Sequence, residues 1–235
     1  MKMAGAQMAL AVEREKSSEF RAFEDESYAR GFKAIAGIDE VGRGPLAGPV
    51  VAAAVVLPRD FCHAEIRDSK LLSAKQREKL APLIRQNAQA WGLGVVEVEV
   101  IDRINILQAS LLAMAKAFST LEPSPDCLLI DGNQLIPPRL FQEGRGLSGS
   151  LPHQKTIVKG DQLCLSIAAA SIVAKVARDE MMIGYDKEFP HYGFAGHKGY
   201  GSAAHLEALR RFGPSPIHRK SFAPVRDLIK AALEE

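Results

Sequence analysis

The sequence predicts an α/β protein in which helices flank a mixed β-sheet. Short apolar runs of strand length come first in pairs and then alternate with longer segments whose apolar residues recur at helical spacing. The 235 residues are 47% apolar and 25% charged, which fits one globular domain of moderate size. The longest apolar run, residues 45–58, is too short and too broken by proline and glycine to cross a membrane.

The predicted elements follow from local patterns along the chain. Strands are expected at 34–38, 50–57, 95–100, 127–130 and 155–158. A helix begins after Ser73, where Gln76 completes a capping box, and Pro82 predicts a kink or an early end of that helix. Further helices are expected over 102–121, from about 161 to 185, and over 203–212 and 224–234.

Three regions differ in composition. We predict an extension with balanced charge and a helix over residues 1–33, and a central α/β domain over residues 34–189. Residues 190–235 are predicted to form a basic helical region that packs on this domain and contacts the substrate. Between residues 197 and 230, seven basic residues stand against two acids, although the net charge of the chain is only +2. Such a tail suits an anionic partner, but a solvated helix face explains it equally well.

The cysteines indicate a reducing compartment. Cys62, Cys127 and Cys164 are odd in number, widely spaced and without a C-x-x-C pair. This pattern argues against a disulfide framework and against a cysteine zinc site. We therefore expect a cytoplasmic protein.

Carboxylates follow two of the predicted strands. Asp39 and Asp131 each stand at the C-terminal end of an apolar run, where catalytic groups gather in α/β folds, and Glu40 adds a third acid. Neighbouring residues of a strand point to opposite faces, so Asp39 and Glu40 share one site only if the strand ends or bends there. Gly42 and Gly44 permit such a bend.

A fourth carboxylate is expected from the long helix. Ser171, Lys175 and Asp179 are spaced i, i+4 and i+8 and so line one helix face. Like charges at ~4 Å repel by about 4 kcal/mol per pair near a protein surface, so a cluster of these acids must bind protons or hard cations. Oxygen ligands suit Mg²⁺ or Mn²⁺, and two such ions support in-line attack on a phosphodiester.

Simpler interpretations of single residues stay open. Asp131, before Gly132, also fits a turn, and Asp179 beside Arg178 fits a surface ion pair. The turn at 42–48 departs from the G-x-G-x-x-G dinucleotide fingerprint, which disfavours a nucleotide-binding Rossmann protein. Its glycines instead let backbone groups approach a ligand such as a sugar hydroxyl, or simply form a hairpin.

Several segments together match one family pattern. They are Ala36–Val50, Asp68-Ser69-Lys70, Asn105-Ile106-Leu107, Ile130–Asn133, Lys159-Gly160-Asp161, Ala168–Lys175, Arg178-Asp179, His197–Gly201 and His218–Phe222. In these residues the sequence resembles ribonuclease HII, the type 2 ribonuclease H, from about residue 34 to residue 225. The resemblance implies a ribonuclease H-like fold.

The resemblance also implies the site residues and cofactors. The catalytic, metal-binding acids would be Asp39, Glu40, Asp131 and Asp179, holding two divalent cations, Mg²⁺ or Mn²⁺. The backbone of Gly42, Arg43 and Gly44 would read the 2′-hydroxyl at an RNA–DNA junction, and Tyr200 would pack on the sugar there. Phosphates would be held by Lys70, Ser171 and Lys175.

The activity that the resemblance implies is endonucleolytic. It is hydrolysis of the RNA strand of RNA–DNA hybrids and cleavage 5′ of ribonucleotides embedded in duplex DNA, as in ribonucleotide excision repair. The products carry 3′-hydroxyl and 5′-phosphate ends. We expect a monomer without a membrane partner. The alternative is a non-catalytic module that binds RNA–DNA hybrids through the basic tail.

Overall fold

The computed structural model describes residues 20–142 and 151–234. One five-stranded sheet with the order β3-β2-β1-β4-β5 forms the centre. Its strands are β1 (Ile35–Val41), β2 (Val50–Val56), β3 (Ala90–Val96), β4 (Cys127–Asp131) and β5 (His153–Ile157). β1 pairs antiparallel with β2, and β2 with β3, whereas β1, β4 and β5 run parallel. The predicted mixed sheet is confirmed.

Ten helices surround this sheet in the described ranges. They are α1 (Ala22–Ala29), α2 (Ala74–Asn87), α3 (Val98–Ile104), α4 (Ile106–Ser119), α5 (Pro138–Gln142), α6 (Gly160–Leu163), α7 (Leu165–Glu188), α8 (Phe194–His197), α9 (Ala203–Phe212) and α10 (Ala223–Glu234). A 3₁₀ turn covers Ser69–Leu71. No helix in the described part of the chain is long and apolar enough to span a membrane.

Two long helices cover opposite faces of the sheet. The even-numbered β1 residues Ala36 and Ile38 share an apolar core with α4, and Ile35 shares another with Ile167 of α7. Because side chains alternate along a strand, Asp39 lies on the α7 face and Glu40 on the α4 face. The β1–β4 pairing ends at Ile38–Ile130, whereas the β1–β2 pairing continues to Val41–Val51. We term this divergence the fork.

The strand predicted at 95–100 is wrong. β3 occupies 90–96 and pairs with β2 along its whole length, and α3 follows at 98–104. Glycine disfavours strands, and residues 95–100 alternate between apolar and acidic residues, so the local pattern places the strand after Gly94 and not through it. The glycine serves packing instead: a Cβ at Gly94 would lie 1.9 Å from the carbonyl oxygen of Ala113 in α4.

Two predicted helices also differ in extent. The helix expected over 102–121 is interrupted at Asn105, whose φ is 67° and whose side chain accepts a hydrogen bond from the Gln108 amide to begin α4. The predicted early end at Pro82 is wrong, because α2 continues to Asn87 with Leu80 and Ile84 buried in the core. The capping box of Ser73 and Gln76 is confirmed.

The long helix predicted from about 161 to 185 is two helices. α6 ends at Leu163, and α7 begins at Leu165. The first residues of α7 are capped by the N-terminal segment. The Leu165 amide donates to the Phe20 carbonyl, and Glu24 of α1 accepts a 2.8 Å hydrogen bond from the Ser166 amide. Glu24 is only 4% exposed, so α1 is built into the core beside the helix that carries Asp179.

Replacing Glu24 with alanine should destabilise the protein by about 1–3 kcal/mol, because the Ser166 amide at the α7 N-terminus loses its buried acceptor. Urea unfolding followed by circular dichroism measures the change. Asp25→Ala on the exposed side of the same helix is the control and should leave the unfolding midpoint almost unchanged, since its contact with Arg21 is 4.0 Å long. Equal midpoints for the two variants would contradict the capping role.

Candidate functional site

Three of the predicted acids converge at the fork. Asp39 is 6% exposed, and its Oδ1 accepts a 2.7 Å hydrogen bond from the Glu40 amide. Asp131 ends β4, the parallel neighbour of β1, and its Oδ1 accepts a 2.7 Å hydrogen bond from the Gly160 amide. Glu40 and Asp131 line one cleft. The strand ends therefore bring these carboxylates to one edge of the sheet.

Burial and mutual repulsion make these carboxylates poor anions. Burial raises the pKa of Asp39 well above its usual value, and the charges of Glu40 and Asp131 raise it further. Burial also raises the pKa of Glu40, against which Arg43 acts from 3.1 Å. The pKa of Asp131 is likewise raised by burial, while the Gly160 amide opposes the shift. The neighbouring positive charges do not compensate for the burial and repulsion of the three carboxylates, because the pKa of each remains raised.

The fourth predicted acid faces cations of the protein. The Oδ1 of Asp179 lies 2.5 Å from Nζ of Lys175, and its Oδ2 lies 3.9 Å from Arg77. The adjacent Arg178 points elsewhere, so the ion pair considered for Asp179 and Arg178 is not the one that forms. Two turns before Asp179 on the same helix, Ser171 shares a 2.7 Å hydrogen bond with Ser69.

The donor set fits hard divalent cations by its chemistry. All four predicted ligands are carboxylates, which suit Mg²⁺ and Mn²⁺, and three of them repel one another at the fork. Within residues 20–142 and 151–234, no three histidine, cysteine or acidic side chains stand ready in ligating positions. Rotation of these side chains, including release of Asp179 from Lys175, would therefore accompany ion binding.

The glycine-rich turn that follows β1 is anchored from below by two buried arginines. Arg219 donates to the carbonyls of Gly42, Arg43 and Gly48, and Arg178 donates to those of Ala47, Pro49 and Lys198. Gly42 has a φ of 95°, and a Cβ there would lie 2.3 Å from Nε of Arg178. Both guanidinium groups are fully buried, and burial lowers the pKa of Arg178 to about 10 and of Arg219 to about 9. They therefore stay charged at neutral pH.

Tyr200 stands beside this turn, 47% exposed, and a Cβ at Gly44 would lie 3.6 Å from its ring. A histidine relay holds its backbone. Because the Ser215 amide can only donate and the Tyr200 carbonyl can only accept, the order of donors is fixed. Ser215 donates to Nδ1 of His218, Nε2 of His218 donates to Nε2 of His205, and Nδ1 of His205 donates to the Tyr200 carbonyl. Both histidines are therefore neutral.

Sequence reasoning missed the partners of the predicted residues. Lys70 binds the buried Asp161 at 3.0 Å. The family pattern includes Asp161 in Lys159-Gly160-Asp161 but does not indicate this contact. The sequence assigns no individual role to Arg77 or Arg219, and for Arg178 it suggests only the ion pair with Asp179 that does not form. Their signal is weak, because an arginine in sequence looks like a surface charge until its burial is known. The second Gly-Arg-Gly, at 144–146, lies outside the described residues.

Comparison with known proteins decides the family. The family model for ribonuclease HII matches residues 36–225. The chain belongs to the ribonuclease HII family. Ribonuclease HII of Geobacter metallireducens is 55% identical over 87% of this chain and 91% of that protein. Ribonuclease HII of Syntrophotalea carbinolica is 52% identical over 88% of this chain and 93% of that protein. The crystal structure of ribonuclease H2 from Pyrococcus horikoshii superimposes with a TM-score of 0.69 at 26% identity, over 86% of this chain and all of that one.

Membership of the ribonuclease HII family confirms two predictions from the sequence. The ribonuclease H-like fold is shown, and the chain is a metal-dependent endoribonuclease. The non-catalytic binding module and the Rossmann protein are therefore both wrong. The particular roles of Asp39, Glu40, Asp131 and Asp179 stay predictions, as do those of the substrate-contacting residues.

Divalent ions should stabilise this ribonuclease HII fold by relieving repulsion at the fork. Adding Mg²⁺ or Mn²⁺ to chelator-treated protein should raise the melting temperature by a few degrees, measured by calorimetry. In chelator, Asp39→Asn should melt at or above the unaltered protein, because one buried charge is gone, and it should gain less from the ions. Asp60→Asn, at an exposed position, is the control. A full ion-induced shift in Asp39→Asn would remove Asp39 from the ligand set.

The neutral histidine relay should make stability fall in mild acid. Burial lowers the pKa of His218 to about 4 from 6.5, so its contribution is complete above about pH 6.5 and is lost as the pH falls toward 4. His218→Gln keeps one donor and one acceptor without titrating. Between pH 7 and 4.5 the unaltered protein should lose about 2 kcal/mol more unfolding free energy than this variant. His191→Gln, at an exposed position, should leave the pH dependence unchanged.

Proposed function

We propose that this ribonuclease HII family member hydrolyses the RNA strand of RNA–DNA hybrids and cuts 5′ of single ribonucleotides embedded in duplex DNA. The products would carry 3′-hydroxyl and 5′-phosphate ends. The observation that carries the proposal is the adjacency of two features. The repelling carboxylates of the fork, which can hold cations, stand directly before a glycine-rich turn in which Arg43 and Gly44 are exposed residues.

Four carboxylates would hold the metal ions in this proposal. They are Asp39, Glu40, Asp131 and Asp179, and the ions are two Mg²⁺ or Mn²⁺. When bound, such a pair of ions would activate a water and stabilise the leaving 3′ oxygen of a phosphodiester. Asp39 is the most buried of the fork acids, and the charges of both Glu40 and Asp131 oppose its ionisation, so it would be the ligand that gains most from bound ions.

The protein's own groups would position the nucleic acid. The ammonium group of Lys175 pairs with Asp179. When Asp179 rotates to bind a metal ion, the ammonium group would be released to bind a substrate phosphate. Lys70, whose side chain is 77% exposed although it contacts Asp161, can meet a phosphate at its solvent side. Ser171 would act from the same helix face as Lys175. Tyr200, exposed beside Gly44, would pack against the sugar of the ribonucleotide.

The proposed setting is the cytoplasm, with the enzyme acting as a monomer. The three cysteines are free, and Cys127 and Cys164 are buried. Free thiols of this kind fit a reducing compartment. The long RNA–DNA hybrid and the duplex with one ribonucleotide are its proposed partners.

Cleavage should depend on Asp39 and on divalent ions. With a duplex carrying one ribonucleotide, Asp39→Asn should lower the rate at least about a hundredfold, because loss of one ligand removes several kcal/mol of transition-state stabilisation. Chelator should abolish cleavage by the unaltered protein, and Mg²⁺ or Mn²⁺ should restore it. Mapping of the labelled products should place the cut 5′ of the ribonucleotide, with a long hybrid run in parallel.

Asp60→Asn is the matched control for this assay, since it removes an exposed carboxylate and should keep full activity. Circular dichroism should show both variants folded. Full activity of Asp39→Asn would reject the assignment of this carboxylate. Cleavage confined to long hybrids would instead reject the proposed action on embedded ribonucleotides.

A further inference from the structure

Arg219 is a buried charge without a carboxylate partner. It is 0% exposed, and no acidic side chain of the described residues lies within ion-pair distance of it. Its guanidinium instead donates to main-chain oxygens: to Gly42 at 2.5 Å, to Arg43 at 3.0 Å and to Gly48 at 2.8 and 3.0 Å. Burying a charge is costly unless all its donors are used. The turn must therefore keep the carbonyls of Gly42, Arg43 and Gly48 directed at the guanidinium.

The hydrogen bonds of Arg219 fix the direction of two neighbouring amides. A trans peptide is planar, and its C=O and the following N–H point in opposite directions. Because the Gly42 carbonyl points inward to Arg219, the Arg43 N–H points outward. The inward Arg43 carbonyl likewise turns the Gly44 N–H outward. Arg219 thus sets the direction of two successive N–H donors from the buried side of the turn.

These two donors have no acceptor within the described residues. Arg43 and Gly44 are exposed residues, and no group in the described part of the chain accepts a hydrogen bond from either amide. The amides of Leu46 and Gly48, later in the same turn, do find acceptors within the protein. Tyr200 lies next to Gly44, and the Arg43 side chain binds Glu40 of the fork, so both neighbours of these donors belong to the proposed site. They face the place where the proposed function puts a ribose.

We propose that Arg219 is a positioning residue for 2′-hydroxyl selectivity, acting through the amides of Arg43 and Gly44. The inference rests on the proposed function, because it deepens the recognition of the ribonucleotide. Lysine cannot replace the arginine here, since one ammonium nitrogen cannot span three carbonyls that a planar guanidinium reaches with separate N–H groups. With lysine, the two peptide planes are free to turn, and the donors are no longer aimed.

Binding selectivity tests the inference without cleavage. We would measure the affinities of two duplexes of identical sequence, one all-DNA and one with a single ribonucleotide, in chelator so that the strand stays intact. Arg219→Lys should lose about tenfold of the preference for the ribonucleotide duplex, as expected for misaligned hydrogen bonds, and keep its affinity for the all-DNA duplex. Arg21→Lys is the matched control: Arg21 is also buried and donates to a carbonyl, that of Phe61, away from the turn.

The outcomes separate the two levels of the proposal. An unchanged preference in folded Arg219→Lys overturns the positioning role and leaves the proposed function intact. Absence of any preference in the unaltered protein removes 2′-hydroxyl reading itself and rejects that part of the proposed function.

Amide hydrogen exchange on the unaltered protein tests the part of the inference that concerns the two amides, and it does not require Arg219→Lys to fold. The Arg43 and Gly44 amides should exchange fast in the free protein and slow down with the ribonucleotide duplex but not with the all-DNA duplex. Protection of these amides in the free protein, or equal protection by both duplexes, would overturn the inference.

Discussion

Repulsion between buried carboxylates is the constraint on which the site depends. Asp39 and Asp131 are brought together by the parallel pairing of β1 with β4, and Glu40 follows on the same strand. Desolvation opposes the charge of each of the three, and their mutual field opposes it further. Arg43 offsets only part of this at Glu40. A fold that maintains such a cluster gains from any multiply charged cation that enters it, and this couples metal binding to stability.

The scaffold around the fork is rigid where the site needs it to be. α7 carries Ser171, Lys175 and Asp179 on 24 residues of continuous helix, and its beginning is fixed by Glu24 and the Phe20 carbonyl. The glycine-rich turn, by contrast, has little regular structure, and its shape is set by Arg178 and Arg219. The proposed metal-binding and sugar-reading halves of the site are thus held by different means, helix packing for one and charged hydrogen bonds for the other.

The sequence was informative where a local pattern determined the position of a residue within one strand or helix. Apolar runs ending in Asp39 and Asp131 located two strand ends, and the spacing of Ser171, Lys175 and Asp179 located a helix face. It failed where tertiary packing outweighed local preference. Gly94 lies in a strand because α4 needs the space, and α2 passes through Pro82 because its flanks are buried. The clamp of Arg219 on Gly42 joins residues 177 positions apart, and no local pattern encodes such a contact.

The basic C-terminal region shows that a count of charges is a poor guide to how charges are used. Of its seven basic residues, Arg219 is fully buried, while Arg210 and Arg226 pair with Glu207 and Asp227. Four basic residues of the region have no ion pair within the described residues: Lys198, Arg211, Lys220 and Lys230. Their attraction for a polyanion would not distinguish RNA from DNA, because both backbones carry the same charge. Selectivity must come from groups that meet the 2′-hydroxyl. Under the proposed role of Arg219, the region contributes to this selectivity indirectly, because the guanidinium that it buries directs the Arg43 and Gly44 amides.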